Sequence, residues 1–537
     1  MVDRSPARRR LDTPTAVGVV GALLFFAVAA VWSLASPLMG APDEPAQTIK
    51  AVSVAHGQLR GEDVTTSIAG PPWVNGTLSY FDVPADYAAV YDLNACYVTQ
   101  PEVPAGCAPS PSRADGTSTA STYVGTYPPL YYALVGWPSL VADAPLGLHL
   151  IRLASAAVSA ALVGLALTAA RRTDGGGVVV AGLLVAITPM VIYMASVVNA
   201  SGMEITSAIA LWCTSLALLR PADRTTRGDV VRAAIAFCAL TSVRGLSPVL
   251  AVGVLAAVAL TVARRSDLER VRRAPGFVPA AVVSAVVFVL ALAYVVWSKA
   301  YDAVSGVPIT DLTLTDALQA SFEQVPYRTR QMVGYFAYLE APPPVGLLVL
   351  WGILVGALVL GALVAGTWRR RMALVGLVLA TIVFTVVPEA LNASEFGYIW
   401  QGRYSLPVAT GIPILAAWIL GRASWWRPAL ALPATAAVAT LWLVGQTLGL
   451  ATMLRRYVVG TDRSLFAVLT GDGWAPPLSP VTLLVLMTLA GLAFVTWTMW
   501  TATQPGPGLA PPGPADDQEP TTSPISAENR PPNASSP

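Results

Sequence analysis

Two adjacent carboxylates follow the first apolar segment of the chain. Asp43 and Glu44 stand between Pro42 and Pro45, shortly after an apolar stretch that ends near residue 35. Carboxylates near a bilayer are costly and mark functional sites when they occur there, and a carboxylate can take the proton from an attacking hydroxyl group. The structural alternative is that Asp43 only caps a helix predicted over 46–59. Spacing alone slightly favours that alternative.

Further polar residues recur near the same ends of the apolar segments. Arginines pair well with phosphate oxygens, so arginines and carboxylates together would suit a lipid phosphate whose sugar is transferred outside the cell. For Arg244, the alternative is a side chain that only snorkels to the interface. The candidate substrate-binding residues are His56, Tyr127, Arg152, Asn199, Glu204, Arg244, Gln401, Arg403 and Tyr404.

Composition indicates what must position these residues. Hydrophobic residues make up 55% of the 537-residue chain and charged residues 12%, with a mean hydropathy of +0.60. These values are typical of an all-α polytopic membrane protein, and a net charge of +2 gives no argument for a nucleic-acid partner. Apolar runs long enough to cross a bilayer predict about twelve spans, near 16–35, 146–170, 176–197, 199–219, 230–244, 247–263, 277–298, 344–367, 372–391, 404–420, 428–450 and 480–501.

Charge placement predicts the topology. With the N-terminus in the cytoplasm, most arginine clusters fall in short cytoplasmic loops. The chain then divides into a cytoplasmic N-terminus (1–15), a membrane domain (16–503) and a disordered cytoplasmic tail (504–537). Long external segments are expected at 36–145, 299–343 and 451–479, and 128–142 is expected to be an interfacial or re-entrant helix. Cys96 and Cys107 lie in the first of these segments, where an oxidising exterior favours a disulfide between them.

Four segments carry a resemblance to a known family. They are Pro42-Asp43-Glu44-Pro45-Ala46-Gln47, Tyr127-Pro128-Pro129-Leu130-Tyr131-Tyr132, the run from Ser196 to Glu204, and Gln401-Gly402-Arg403-Tyr404-Ser405-Leu406-Pro407. Over about residues 15–500 the chain resembles a bacterial membrane-protein family known as domain of unknown function 2142. It is remotely similar to the GT-C superfamily of glycosyltransferases, which place an acidic residue just after the first span. The family usually has histidine where this chain has Gln47, so a role of that histidine would weaken or pass to His56.

The resemblance implies a glycosyltransferase of the cytoplasmic membrane. It would move a sugar from a polyprenyl-phosphate donor to an envelope glycan, lipid or protein, on the outer face of the bilayer. Asp43 is the first candidate for the general base and Glu44 the second, with Arg244, Arg403 and Arg152 on the donor phosphate. Some relatives use a divalent cation and others do not, and two carboxylates are too few ligands to decide. The competing hypotheses are a transporter or flippase of an envelope precursor, and a scaffold for envelope enzymes.

Overall fold

The first helix leads directly to the acidic pair. In the computed structural model, which describes residues 13–68, 74–220, 225–300, 309, 311–423, 428–471 and 473–503, helix α1 comprises Pro14–Leu34. Thr13 caps it by accepting a hydrogen bond from the amide of Ala16 at 3.2 Å, and Pro14 occupies the first turn, where no amide hydrogen is needed. Its 21 residues reach about 31 Å, the thickness of a bilayer core.

The segment 36–145, which is predicted to be external, folds into short helices and a small sheet. The strands form an antiparallel sheet in the order β1-β2-β3, with Glu62 opposite Tyr80 and Ser79 opposite Thr122. This sheet was not predicted from the sequence. Cys96 and Cys107 are joined by a disulfide. The elements are α2 (Glu44–Ala55), β1 (Glu62–Ile68), β2 (Val74–Pro84), α3 (Ala85–Ala88), β3 (Thr117–Thr122) and α4 (Leu130–Gly136).

Within the predicted segment 128–142, α4 is followed by a 3₁₀ turn, Trp137–Leu140. Seven residues of α-helix are far too few to cross a bilayer. Leu134, Trp137 and Val141 nevertheless expose apolar side chains. An interfacial position for this segment remains a prediction.

The next four helices are largely buried. α5 (Ala144–Arg172) packs closely on α1 where Gly18 and Gly164 face each other, because a Cβ at either glycine would crowd the backbone oxygen of the other. Every residue of α8 (Ala200–Ala217) is buried. Between them, α6 (Gly176–Ala186) and α7 (Pro189–Ser196) are bent by 68° at Ile187-Thr188.

The remaining helices complete the bundle. α12 is apolar on all sides and largely exposed, which is typical of a lipid-facing helix. The bounds are α9 (Arg227–Thr241), α10 (Ser247–Ala257), α11 (Arg265–Arg273), α12 (Phe277–Trp297), α13 (Leu314–Glu323), α14 (Val325–Gly334), α15 (Val345–Ala365), α16 (Trp368–Phe396), α17 (Gly402–Ala409), α18 (Gly411–Gly421), α19 (Pro428–Val458) and α20 (Pro480–Thr503).

The helical polytopic fold is confirmed, but the count of about twelve spans is not. Across the described ranges, eight segments are long and apolar enough to cross a membrane, or nine if the bent pair α6 and α7 is one span. The predicted spans at 199–219, 230–244 and 247–263 do form helices. α9 and α10 are short, with 15 and 11 residues, and α8 carries Glu204 among several hydroxyl side chains.

α5 extends from one end of the bundle to the other, and each end of this helix carries a paired arginine. Arg152, near its start, lies beside Glu44, whereas Arg172, at its end, pairs with Asp229 at 2.7 Å. Twenty residues of helix separate these two arginines by about 30 Å. Arg220 and Arg232 join Asp229 as well. A basic cluster thus lies one bilayer thickness away from the acidic pair. The tail 504–537, predicted to be disordered, lies outside the described residues.

Candidate functional site

Asp43 begins α2 in an unusual backbone conformation. Its φ of 62° and ψ of 0° are left-handed, and its side chain makes no capping hydrogen bond to the helix. The sequence alternative, in which Asp43 serves only as a helix cap, therefore does not describe this residue. Non-glycine residues held in this region cost energy and are concentrated at functional sites. The conformation instead turns the Asp43 carboxylate towards two distant segments of the chain.

These segments supply one hydrogen-bond donor each. The Tyr123 hydroxyl donates to Oδ1 of Asp43 at 2.8 Å, and Nη2 of Arg403 donates to Oδ2 at 2.5 Å. The Asp43 side chain is 25% exposed, whereas that of Arg403 is 3% exposed. Burial and the neighbouring Asp43 carboxylate raise the pKa of Tyr123 well above its ordinary value, so Tyr123 stays protonated and donates. Asp43 is thus oriented at both oxygens while part of it still reaches solvent.

Glu44 has a different environment. Its carboxylate is fully buried and forms a two-point ion pair with Arg152, from Nε to Oε1 at 2.6 Å and from Nη2 to Oε2 at 2.7 Å. The amides of Val198 and Ala41 also donate to it. The two adjacent carboxylates therefore diverge, one towards Arg403 and the other towards Arg152.

Arg152 uses all of its donors within the protein. Besides its two bonds to Glu44, it donates to the carbonyls of Ser33, Ser36 and Pro37 at 3.1, 2.8 and 2.6 Å. A guanidinium has five N–H groups, and five are paired here. The arginine therefore fastens the end of α1 to the start of α2.

Arg244 and Arg403 share an aromatic neighbour. The Arg244 guanidinium carbon lies 4.7 Å from the ring centre of Tyr404, and that of Arg403 lies 5.2 Å from it. Arg244 also contacts Glu204 at 3.4 Å and donates a hydrogen bond to the Tyr127 hydroxyl at 3.3 Å. Together with Asp43, which pairs with Arg403, residues from five separate segments of the sequence thus form one cluster with two cations and two carboxylates.

The turn between α7 and α8 supports the Asp43 backbone. The Asn199 amide nitrogen donates to the carbonyl of Pro42 at 2.9 Å, while its oxygen accepts from the amide of Ser201. Gln47, at the position where the family usually has histidine, accepts from the Tyr132 hydroxyl at 2.6 Å. Both amide side chains therefore tie the acidic segment to its neighbours.

His56 is not brought into this cluster. It follows the last residue of α2 and is exposed, about 20 Å along the helix from Asp43. Within the described ranges, no group of three or more histidine, cysteine, aspartate or glutamate side chains is arranged to hold a metal ion. Asp43 and Glu44 cannot chelate one ion together in this arrangement, since they point to different partners.

Two polar residues next to Asp43 and Arg403 were not predicted. Tyr123 precedes the Tyr127 segment by four residues, and Gln331 lies on α14 in the second segment that is predicted to be external. Neither belongs to a repeated or charged pattern in the sequence. Their positions follow from the tertiary structure, so a single sequence offers no direct signal for them.

A mainly apolar cavity lies next to α17. It has a volume of about 270 Å³, and its lining includes Leu406, one turn after Arg403, together with Trp351, Val185, Met332 and Ile382. Five threonines also line it, and each hydroxyl donates to a backbone carbonyl. The hydroxyl protons are therefore already used, and the cavity presents a mainly apolar surface.

Comparison with known proteins identifies the family. A family model described as "Predicted membrane protein (DUF2142)" matches residues 25–412. The chain belongs to the DUF2142 family. The matched region of this DUF2142 protein includes Asp43, Glu44, Arg152, Arg244 and Arg403.

Comparison with solved structures shows only weak similarity. A crystal structure of apo ArnT from Cupriavidus metallidurans aligns at 17% identity and a TM-score of 0.35, over 70% of this chain and 66% of ArnT, just under two thirds of that protein. A TM-score of this size is too low to assign a shared fold or activity. No curated protein matches the chain.

Proposed function

We propose that this DUF2142 protein is a membrane glycosyltransferase that uses a polyprenyl-phosphate sugar and acts on the outer face of the cytoplasmic membrane. The observation that carries the proposal is the Asp43 carboxylate, which is partly exposed and oriented by Tyr123 and Arg403. Arg244 lies against the same tyrosine ring as Arg403. One cluster therefore combines a proton acceptor with two groups suited to phosphate.

The reaction would be a single displacement. Asp43 takes the proton of an acceptor hydroxyl as the acceptor oxygen bonds to the anomeric carbon. The bond between that carbon and the phosphate oxygen breaks, and polyprenyl phosphate leaves with the electron pair. Guanidinium groups stabilise the charge that develops on the leaving phosphate. The acceptor would be an envelope glycan, lipid or protein.

The two arginines would take the phosphate unequally. Arg244 contacts Glu204 at 3.4 Å, a longer and weaker contact than the 2.5 Å bond between Arg403 and Asp43. The Arg244 side chain is also more exposed, at 18%. Arg244 is therefore assigned to the first contact with the donor phosphate, and Arg403 to the position between phosphate and base.

Glu44 and Arg152 are assigned a positioning role. Both are fully buried and their polar atoms are paired within the protein, so neither offers a free group to a substrate. The apolar cavity beside α17 suits part of the prenyl chain, because its lining resembles that of other apolar ligand pockets.

A transporter of a lipid-linked precursor is the second candidate. The bent helix pair α6 and α7 favours it, since interrupted helices line the substrate sites of many transporters. Transporters usually carry such helices in both halves of the fold, however, and only one bent pair occurs within the described ranges. The polar cluster also lies at one end of the bundle rather than in its middle.

The deciding experiment is turnover of defined donors by the purified protein. Short-chain polyprenyl-phosphate esters of mannose, glucose, galactose and arabinose would be supplied with an envelope extract, and release of polyprenyl phosphate would be followed by mass spectrometry. Asp43→Asn keeps the shape of the side chain but loses the proton acceptor, so transfer should fall by at least about 100-fold. Asp92→Asn, an exposed aspartate of the same external segment, is the matched control and should retain activity.

Two results would contradict the proposal. Full activity of a folded Asp43→Asn protein would remove Asp43 as the base. The second result is a wild-type protein that releases no polyprenyl phosphate from any donor but moves a fluorescent prenyl-phosphate lipid across vesicle membranes. In that case the transporter hypothesis is correct instead.

A further inference from the structure

A second, much smaller cavity adjoins the site. It lies between α14, α17 and the segment before α2, and it is lined by Gln331, Gln401, Arg403, Pro42 and Met194 among others. Its free space of about 10 Å³ is enough for one water-sized group. Arg403 therefore both pairs with Asp43 and lines this cavity.

Three polar atoms around this cavity are unsatisfied. Nε2 of Gln331, Oε1 of Gln401 and Nε of Arg403 are each buried, and none has a hydrogen-bond partner in the part of the chain that the structure describes. The side chains of Gln331 and Arg403 are only 1% and 3% exposed. Buried polar groups are nearly always paired, so three orphans around one small cavity indicate a bound polar group.

The orientation of Gln331 is set by the protein. Its Oε1 accepts from the amide of Gly402 at 2.7 Å, which leaves the NH₂ group of this cavity-lining residue as an available donor. α14 and α17 approach so closely there that a Cβ at position 402 would overlap the carbonyl oxygen of Arg328. The ion pair between Arg328 and Glu389 at 2.8 Å joins α14 to the neighbouring helix α16.

We propose that Gln331, Gln401 and Arg403 form a subsite for one hydroxyl group of the transferred sugar. Two donors, on Gln331 and Arg403, and one acceptor, on Gln401, match an alcohol, which accepts two hydrogen bonds and donates one. A phosphate oxygen could only accept. The inference rests on the proposed function, and it makes Gln331 a residue that determines which sugar is used.

The test compares a donor with its deoxy analogues. The polyprenyl-phosphate sugar that the wild-type protein transfers best is made in versions that each lack one hydroxyl group. A site that hydrogen-bonds a hydroxyl discriminates strongly against the analogue without it, so kcat/KM for one analogue should fall by at least about 10-fold.

Gln331→Glu isolates the donor that faces the cavity. The glutamate keeps an acceptor for the Gly402 amide but replaces the NH₂ group with an oxygen. We expect kcat/KM for the full sugar to fall about 10- to 100-fold, with little further loss for the sensitive analogue. Gln319→Glu, at an exposed glutamine of α13, is the control for added charge. Thermal unfolding confirms that each variant is folded.

The outcomes separate this inference from the proposed function. If the wild-type protein transfers the sugar but tolerates every deoxy analogue equally, or if Gln331→Glu discriminates as the wild type does, the subsite is wrong while the glycosyltransferase stands. A structure with a donor analogue bound, in which water alone occupies the cavity, would also overturn it. If no donor is turned over at all, the proposed function itself fails.

Discussion

Removal of Arg152 should destabilise the whole protein. The side chain is fully buried, carries a two-point ion pair with Glu44 and holds three backbone carbonyls. In Arg152→Met the Glu44 carboxylate would lose its counter-charge inside the protein. Loss of one partner of a buried ion pair costs about 3–5 kcal/mol, a large part of a typical stability of about 5–15 kcal/mol. We expect a loss of that size in the free energy of unfolding.

The assay is denaturant unfolding in detergent micelles, followed by tryptophan fluorescence. In the double variant Glu44→Gln/Arg152→Met no buried charge is left, so its loss should be smaller than the sum of the two single losses, by at least about 1.5 kcal/mol. Arg113→Ala is the control, since Arg113 pairs with Asp143 at 2.8 Å but their side chains are 81% and 54% exposed, and exposed pairs contribute at most about 1 kcal/mol. An Arg152→Met protein as stable as Arg113→Ala would refute this reasoning.

Two further predictions concern the segment 36–145, which is predicted to be external. Lys50 donates to the carbonyls of Leu59 and Gly125 at 2.7 and 2.6 Å, and burial lowers its pKa from 10.5 to about 7 against the opposing effect of Asp63. Between these pH values the unfolded chain binds more protons than the folded protein, so the free energy of unfolding should rise with pH. An equal rise with pH in the Lys50→Met variant would contradict this prediction. Reducing the Cys96–Cys107 bond should lower the free energy of unfolding by about 2–4 kcal/mol, whereas a double serine variant should be insensitive to reductant in the same unfolding assay.

The helices that face lipid were the most predictable part of the fold. The span predicted at 277–298 is observed as Phe277–Trp297, and that at 16–35 as Pro14–Leu34. A helix in lipid must be apolar over its whole length, so its bounds show directly in the composition.

Helices that carry buried polar groups were harder to delimit. The span predicted at 428–450 continues to Val458, because Arg456 is buried and pairs with Glu340 at 2.7 Å. The predicted span 176–197 is broken at Ile187-Thr188, with Pro189 starting the second helix. Hydropathy alone predicts neither an ion pair with a distant loop nor a sharp bend.

The same limit applies to the site. Asp43 and Arg403 are 360 residues apart, and the sequence predicts only that they lie near the same ends of their apolar segments, not that they form an ion pair. Tyr123 and Gln331 carry no motif, so their approach to the site could not be read from spacing. The short distances among Asp43, Arg403 and Gln331 arise from the packing of α2, α14 and α17.

Burial, rather than residue type, separates the roles of the two acidic neighbours. Asp43 and Glu44 are both carboxylates, both pair with an arginine, and both stand between the same two prolines. Glu44 is fully buried with both oxygens held by Arg152, so it has no route to an acceptor hydroxyl. Asp43 is one quarter exposed, and its partners Tyr123 and Arg403 orient it without enclosing it.

The left-handed backbone at Asp43 produces this difference, because it turns one carboxylate outward while its neighbour begins a buried helix. Under the proposed function, Glu44 and Arg152 therefore set the position from which Asp43 acts.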